Sequence, residues 1–135
     1  MARSAGSIEQ IGATVLRIAL GIIYVMHAYL ALFVFGPAGT AAYQRNIGLP
    51  FPELGVWYLI AAHGLGGIML ILGVFTRWAA LANVPIMFVA LLLVHLKQGF
   101  FMTKDGGYEY VFLVLAATTA QVFLGGGTLT LRRSG

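Results

Sequence analysis

The chain has 135 residues, of which 60% are hydrophobic and 9% carry a formal charge, whereas a soluble globular domain has about 25% charged residues. So few charges cannot cover a water-facing surface, and we expect residues 1–135 to form a single domain surrounded by membrane lipid. The absence of cysteine excludes thiol chemistry, disulfides and iron–sulfur ligation by this chain. The net charge of +4 lies in loops and termini without a basic stripe, which suits anionic lipid and argues against nucleic acid.

Four apolar runs predict an all-α fold, a transmembrane four-helix bundle with both termini on the same side. The 21 residues of the stretch 55–75 would extend about 31 Å as a helix, the thickness of a bilayer's hydrocarbon core. A signal peptide is the alternative for the first run, but the stretch 18–35 exceeds the ~7–15 residues of a signal core and offers no small-residue cleavage site. The predicted spans are residues 12–35, 55–76, 78–96 and 108–124.

The first span presents one face of polar and small residues. The residues that recur at helical spacing are Arg17, Gly21, Tyr24, His27 or Ala28, and Ala31. We expect this face to point into the protein while aliphatic residues face lipid. Arg17 lies one turn inside the start of the span, where a long side chain can reach the interface. We therefore interpret Arg17, together with Arg77, as a topology anchor.

The connections between spans carry residues that stop or start helices. Gly36-Pro37 ends the first span, and residues 38–46 predict a short helix at the membrane interface. Pro52 and Glu53 suit the first turn of the second span. Because only one or two residues separate the second span from the third, the two should form a tight antiparallel hairpin.

The third and fourth spans add polar groups and a weak charge asymmetry. Asn83 lies near Pro85, and we expect its amide to bond either the carbonyl that the proline frees or a neighbouring helix. Glu109 suits the first turn of the fourth span. The positive-inside rule favours cytoplasmic termini, because five of the eight basic residues fall on that side: Arg3, Arg17, Arg77, Arg132 and Arg133.

Ionisable residues from all four spans fall at the end of the bundle opposite the termini. His27 and His63 each lie 8 residues from the outer end of their span, or about 12 Å deep. His95 and Glu109 lie at the outer ends of the third and fourth spans. Alternating span direction therefore predicts one polar pocket in the outer half, with no catalytic residue assigned. Its predicted ligand-binding residues are Tyr24, His27, His63, Gly67, His95, Tyr108 and Glu109.

The chemistry of this pocket suits a quinone headgroup, which needs hydrogen bonds to two carbonyls and protons on reduction. An imidazole both donates and accepts hydrogen bonds and titrates near neutral pH. Other interpretations stay open at this point: interhelical hydrogen bonding by the histidines, an interfacial His95, or a helix-start charge at Glu109. His27 and His63 could also ligate haem or another tetrapyrrole axially, and three histidines with a carboxylate could hold zinc or copper, although there is no H-x-x-H or H-x-x-x-H pair.

Short motifs along most of the chain resemble those of the DoxX family of small bacterial membrane proteins. In order and spacing they are similar to the family's L-R-x-x-L-G opening with a following histidine, its G-G…L-G-x-x-T-R segment, and its later glycine motifs. The residues that carry the resemblance are Leu16-Arg17, Leu20-Gly21, His27, Gly66-Gly67, Leu72-Gly73, Thr76-Arg77, Gly99-Phe100, Gly107-Tyr108-Glu109 and Gly125-Gly126-Gly127.

Three positions depart from the family's pattern. The family usually has His-Gly-x-x-Lys in the first span, whereas Ala28-Tyr29-Leu30-Ala31 follows His27 here. A glutamate is usual where His63 stands, so the charge of the pocket changes. The common C-terminal Ser-Leu-Asp is Thr130-Leu131-Arg132 in this chain.

The resemblance implies a multi-pass protein of the bacterial inner membrane. Relatives include a subunit of thiosulfate:quinone oxidoreductase and partners of thiol or superoxide defence enzymes. The leading hypothesis is therefore a redox-associated subunit with a quinone-like pocket, bound to other membrane or redox subunits or to further copies of itself. The alternatives are a non-catalytic accessory or scaffold subunit of a larger membrane complex, and a histidine-ligated tetrapyrrole or metal-binding subunit.

Overall fold

A computed structural model of the protein describes residues 2–131, with side chains from residue 6 onward. Within that range the structure is helical and contains no strand, so the expected all-α class is confirmed there. Three helices are long and apolar enough to cross a membrane: Gly6–Val34, Pro52–Leu72 and Thr76–Gln98. The fourth apolar helix, Glu109–Leu124, has only 16 residues and is about 24 Å long.

Each of the three long helices contains a π-helical segment. These segments fall near the outer end of the first and third helices and at the middle of the second. The elements in chain order are α1 (Ala2–Tyr29), a π segment (Leu30–Val34), α2 (Gly36–Asn46), α3 (Pro52–Ile60), a π segment (Ala61–Leu65), α4 (Gly66–Leu72), α5 (Thr76–Val89), a π segment (Ala90–His95), a 3-10 turn (Leu96–Gln98) and α6 (Glu109–Leu124). The short helix expected at residues 38–46 is present as α2, and residues 73–75 form the hairpin connection between α4 and α5.

The helices pack in a closed order around one apolar core. α1 packs against α4 and the π segment before it, α4 against α5, α5 against α6, and α6 returns to α1. Most large apolar side chains outside this core are exposed, as expected where lipid covers the surface. The buried core residues are Leu20, Tyr24, Leu70, Ala79, Ala80, Met87, Val111 and Val114.

The contact between α1 and α4 is a direct backbone approach at two glycines. A Cβ atom on Gly21 would lie 2.7 Å from the carbonyl oxygen of Gly67, and one on Gly67 would lie 2.9 Å from that of Gly21. Both distances are shorter than any real Cβ contact, so only glycine allows this separation. The crossing sets the distance between the two helix segments just above it, which carry His27 and His63.

Arg17 is fully buried within the protein, so its side chain does not extend outward as expected for a topology anchor. All five of its N–H donors hydrogen-bond backbone carbonyl oxygens, Nε to one, Nη1 to two and Nη2 to two. Carbonyl dipoles therefore surround the guanidinium, and no carboxylate of the described residues pairs with it. The acceptors, at 2.6–3.1 Å, are Leu70, Ile71, Gly126, Thr128 and Leu129.

The carbonyls around Arg17 come from the end of α4 and from the segment after α6. The last carbonyls of a helix lack intrahelical partners, and a cation there also interacts favourably with the helix dipole. Gly73 ends α4 with φ +72°, and a Cβ atom there would lie 2.8 Å from Thr130 Cα and 3.1 Å from Arg17 Cζ. Arg17 thus joins three of the sequence motifs: the L-R-x-x-L-G opening, the L-G-x-x-T-R segment and the closing glycines.

The burial of Arg17 weakens the charge asymmetry that was expected to set the orientation. A buried arginine is no longer a loop charge, and Arg132 and Arg133 lie outside the described residues, as does the side chain of Arg3. Arg77 is exposed and donates one hydrogen bond, of 3.2 Å, to the carbonyl oxygen of Val122 near the end of α6. The side of the membrane on which the termini lie therefore stays a prediction.

Candidate functional site

His63 lies in the π segment Ala61–Leu65 and is buried, with 4% of its surface exposed. Its Nδ1 atom lies 2.6 Å from Oδ1 of Asn83 on α5. A π-helical turn inserts one residue into a helix and often marks a functional site. Here Asn83 Nδ2 bonds the carbonyl oxygen of Ala62 in this turn, at 2.9 Å, so the irregular backbone is tied to the neighbouring helix. Of the two roles expected for Asn83, the structure shows the hydrogen bond to a neighbouring helix.

The hydrogen bonds of Asn83 fix which nitrogen of His63 carries the proton. Asn83 Nδ2 donates to the carbonyl oxygens of Ala62 and Ala79, both at 2.9 Å, and a carbonyl can only accept. The amide orientation follows from this network, and it leaves Oδ1 as the acceptor facing His63. His63 therefore donates from Nδ1, and in the neutral ring Nε2 holds a free lone pair.

The ring of Tyr24 packs against His63, and its hydroxyl is hydrogen-bonded to another side chain of the protein. The two ring centroids are 4.7 Å apart, and Tyr24 is 1% exposed. The Tyr24 hydroxyl lies 2.5 Å from Oγ1 of Thr118, which itself donates to the carbonyl oxygen of Val114 at 2.7 Å. Tyr24 must therefore donate to Thr118. Its ring acts as a wall for the histidine, and its hydroxyl is not free for a ligand.

His27 and His63 line the same cavity. Their ring centroids are 6.2 Å apart with the planes at 78°, and His27 is the more exposed of the two. The cavity measures about 350 Å³, and its apolar wall includes Phe35, Tyr43 and Leu59. The structure thus places one buried and one accessible imidazole around a space large enough for a small ring.

A larger apolar cavity of about 630 Å³ adjoins the histidine cavity, and Thr40, Tyr43 and Leu59 line both. Its polar wall residues are largely turned away from the space. Thr40 donates its hydroxyl to carbonyl oxygens in its own helical region, and Tyr58 donates to the carbonyl oxygen of Ala82 at 2.7 Å. The two cavities together offer polar atoms at one end and an almost wholly apolar wall at the other.

The π segments contribute to the walls of both cavities. Leu30 and Ala31 from the first segment and His63 from the second line the histidine cavity, while Ala90 and Val94 from the third line the apolar one. The extra residue in each turn interrupts regular helix packing and helps to leave space between helices. Sequence reasoning did not find these segments, because nothing in the amino-acid pattern marks a π turn.

The other expected site residues from the outer end have their observed contacts in the connection before α6. His95 Nδ1 lies 3.1 Å from Gln98 Oε1. Glu109 accepts a hydrogen bond from the backbone N–H of Met102 at 2.6 Å. The ionisable groups expected in one pocket therefore fall in two places: buried His63 and exposed His27 line one cavity, whereas His95 and Glu109 contact the connection before α6.

Two further expected site residues have structural contacts. The ring of Tyr108 packs against Phe100, with centroids 5.2 Å apart. Gly67 lies at the backbone crossing with Gly21, below the histidines. Among the residues that the structure describes, no three His, Cys, Asp or Glu side chains are close enough to hold one metal ion, so the zinc or copper hypothesis finds no cluster there.

Comparison with known proteins gives one family. The DoxX family model matches residues 12–96, which include Arg17, His27, His63 and Asn83. No curated protein and no solved structure matches the chain. The matched stretch covers the first three helices and both cavities, while α6 lies beyond it.

Proposed function

This chain belongs to the DoxX family, and from that premise we propose that it is a redox-associated subunit that binds a quinone-like molecule between His27 and His63. It is an integral membrane protein by its family and its long apolar helices. The observation that carries the proposal is the pair of adjoining cavities, one lined by two imidazoles and the other almost wholly apolar. That shape and polarity fit a ring with an isoprenoid-like chain.

The sizes and the polar groups support this ligand class. Small-molecule sites usually measure about 300–1,000 Å³, are mainly apolar and have few fixed polar groups. The histidine cavity would hold the headgroup, and the larger cavity would hold the first part of the chain. His27 can approach one ring oxygen from the accessible side, while His63, fixed by Asn83, can approach another. His95 and Glu109 at the outer rim are proposed to exchange protons with the aqueous phase.

Replacing His27 by leucine tests the headgroup contact with little risk to the fold, because His27 is exposed and makes no side-chain hydrogen bond within the described residues. We expect the purified protein to bind decylubiquinone about tenfold less tightly, the loss of about one good hydrogen bond. Isothermal titration in detergent measures this directly. Thr119→Val is the control, since Thr119 faces outward on α6 and bonds only its own helix.

Equal affinity in the wild type and in His27→Leu would end the headgroup assignment. Absence of binding in the wild type, with stoichiometric partner subunits on purification, would favour the scaffold interpretation instead. A Soret band in the absorption spectrum of the purified protein would assign the two histidines to a tetrapyrrole.

We also propose that Glu109–Leu124 crosses the membrane as a fourth span, so that both termini face the cytoplasm. The absence of native cysteine makes this easy to test, because a single introduced cysteine has no background. A membrane-impermeant maleimide should label Lys104→Cys in spheroplasts and Leu131→Cys only after lysis. Labelling of both positions in intact spheroplasts would contradict a fourth crossing.

A further inference from the structure

The hydrogen-bond network around His63 distinguishes two chemical forms of a ring ligand. Building on the proposed site, we infer that it selects headgroups that carry a hydroxyl, such as a hydroquinone or a phenol, over headgroups that carry only carbonyl or ether oxygens. The ligand hydroxyl donates to Nε2 of His63. Recognition of the reduced form in this way involves no chemical step.

Asn83 is the fixed end of the network. Asn83 donates to two backbone carbonyls, so its only free acceptor receives the Nδ1 proton of His63. If the His63 proton moved to Nε2, Nδ1 and Asn83 Oδ1 would face each other at 2.6 Å with lone pairs on both atoms. That arrangement is repulsive, so the neutral ring presents an acceptor to the cavity.

Two of the polar side chains near His63 already use their donors elsewhere. The Tyr24 hydroxyl donates to Thr118, and the Thr40 hydroxyl donates to the carbonyl oxygens of Ala31 or Gly36. Among the residues that line the histidine cavity, His27 and Tyr43 are the side chains with a donor still available. A ligand therefore meets an acceptor at its buried side and donors at its accessible side.

A hydroquinone satisfies both sides, since one hydroxyl can donate to His63 and the other oxygen can accept from His27 or Tyr43. A quinone carbonyl at the buried side would place its lone pairs against the Nε2 lone pair. Leaving a buried polar group unpaired costs about 1–3 kcal/mol, which corresponds to an affinity ratio of about 5 to 150.

The test compares three probes with the same ring and chain: decylhydroquinone kept reduced, decylquinone, and the dimethyl ether of the hydroquinone, in which a methyl group replaces each hydroxyl hydrogen. We expect the wild type to bind the hydroquinone at least about fivefold more tightly than either of the others. In His63→Leu this ratio should fall below about two, while the apolar contacts of the chain remain. If the leucine variant does not fold, His63→Gln replaces it. The glutamine amide can present either a donor or an acceptor to the ligand, so the preference for the hydroquinone should again be lost.

Equal binding of the hydroquinone and its dimethyl ether by the wild type would overturn the selectivity while leaving the quinone-like site in place. Failure of all three probes to bind would instead overturn the proposed function itself. A second readout needs no ligand: in protein labelled with ¹⁵N-histidine, the signal that disappears in His63→Gln should belong to a ring protonated at Nδ1. Protonation at Nε2 would contradict the inference.

Discussion

Replacing Arg17 by lysine should destabilise the protein by about 3 kcal/mol or more, because several charge-assisted hydrogen bonds are lost at once. A lysine offers three donors from one nitrogen and cannot reach carbonyls on two chain segments in the way that the planar guanidinium does. The carbonyls at the end of α4 and in the segment after α6 would lose these partners, and that of Leu70 would be left in a buried place. Thermal unfolding in detergent, followed by circular dichroism, measures the loss.

Arg77→Lys is the matched control for this prediction. Arg77 also lies at the inner end of a helix, but it is exposed and makes one long hydrogen bond to a carbonyl oxygen. We expect its stability to change by less than about 0.5 kcal/mol. Similar melting temperatures for Arg17→Lys and Arg77→Lys would show that the buried guanidinium does not hold the two segments together.

Adding one methyl group at the crossing of α1 and α4 is the second change with a large expected effect. In Gly21→Ala the new Cβ would lie 2.7 Å from the carbonyl oxygen of Gly67 and from the Ile71 side chain. The helices must separate, which we expect to cost about 2–3 kcal/mol. The histidines lie directly above this crossing, so decylubiquinone should also bind more weakly.

Gly12→Ala separates this steric effect from the general effect of alanine in a helix. Gly12 lies on the same helix with nothing within 4 Å of an added Cβ, and alanine there should be neutral or stabilising by up to about 1 kcal/mol. Melting temperatures of the two variants in the same detergent provide the comparison. If Gly21→Ala were as stable as Gly12→Ala, the close backbone approach would not be a constraint on the fold.

The apolar helices could be predicted from the sequence because apolar run length is a strong local signal, but α1 begins at Ala2, ten residues before the predicted span. The polar and small face of the first span was also predictable, since Gly21 and Tyr24 recur at helical spacing and both are buried. The role of Arg17 could not be predicted, because its acceptors come from segments more than 50 residues away that only the tertiary fold brings close. An arginine near the start of a span is also found where the side chain simply reaches the interface.

The depth of the ionisable residues followed from the rise per residue, but their direction around the helix axis did not. Each π-helical turn adds a residue and rotates the side chains that follow it. His95 ends such a segment, and its observed partner is Gln98 at the outer rim. The pairing of Asn83 with His63 could not be predicted either, because it depends on contacts between helices. The position of Asn83 inside an apolar span did indicate that it would bond another helix.

Photoaffinity labelling with an azido-quinone, followed by mass spectrometry, tests the central claim most directly: that the pocket between His27 and His63 holds a quinone-like ligand. We expect the adducts to fall on the cavity walls, in the peptides around Leu30 and Leu59, and to disappear when excess decylubiquinone competes. Adducts spread over lipid-facing residues such as Phe112 and Phe123, unaffected by the competitor, would contradict the claim.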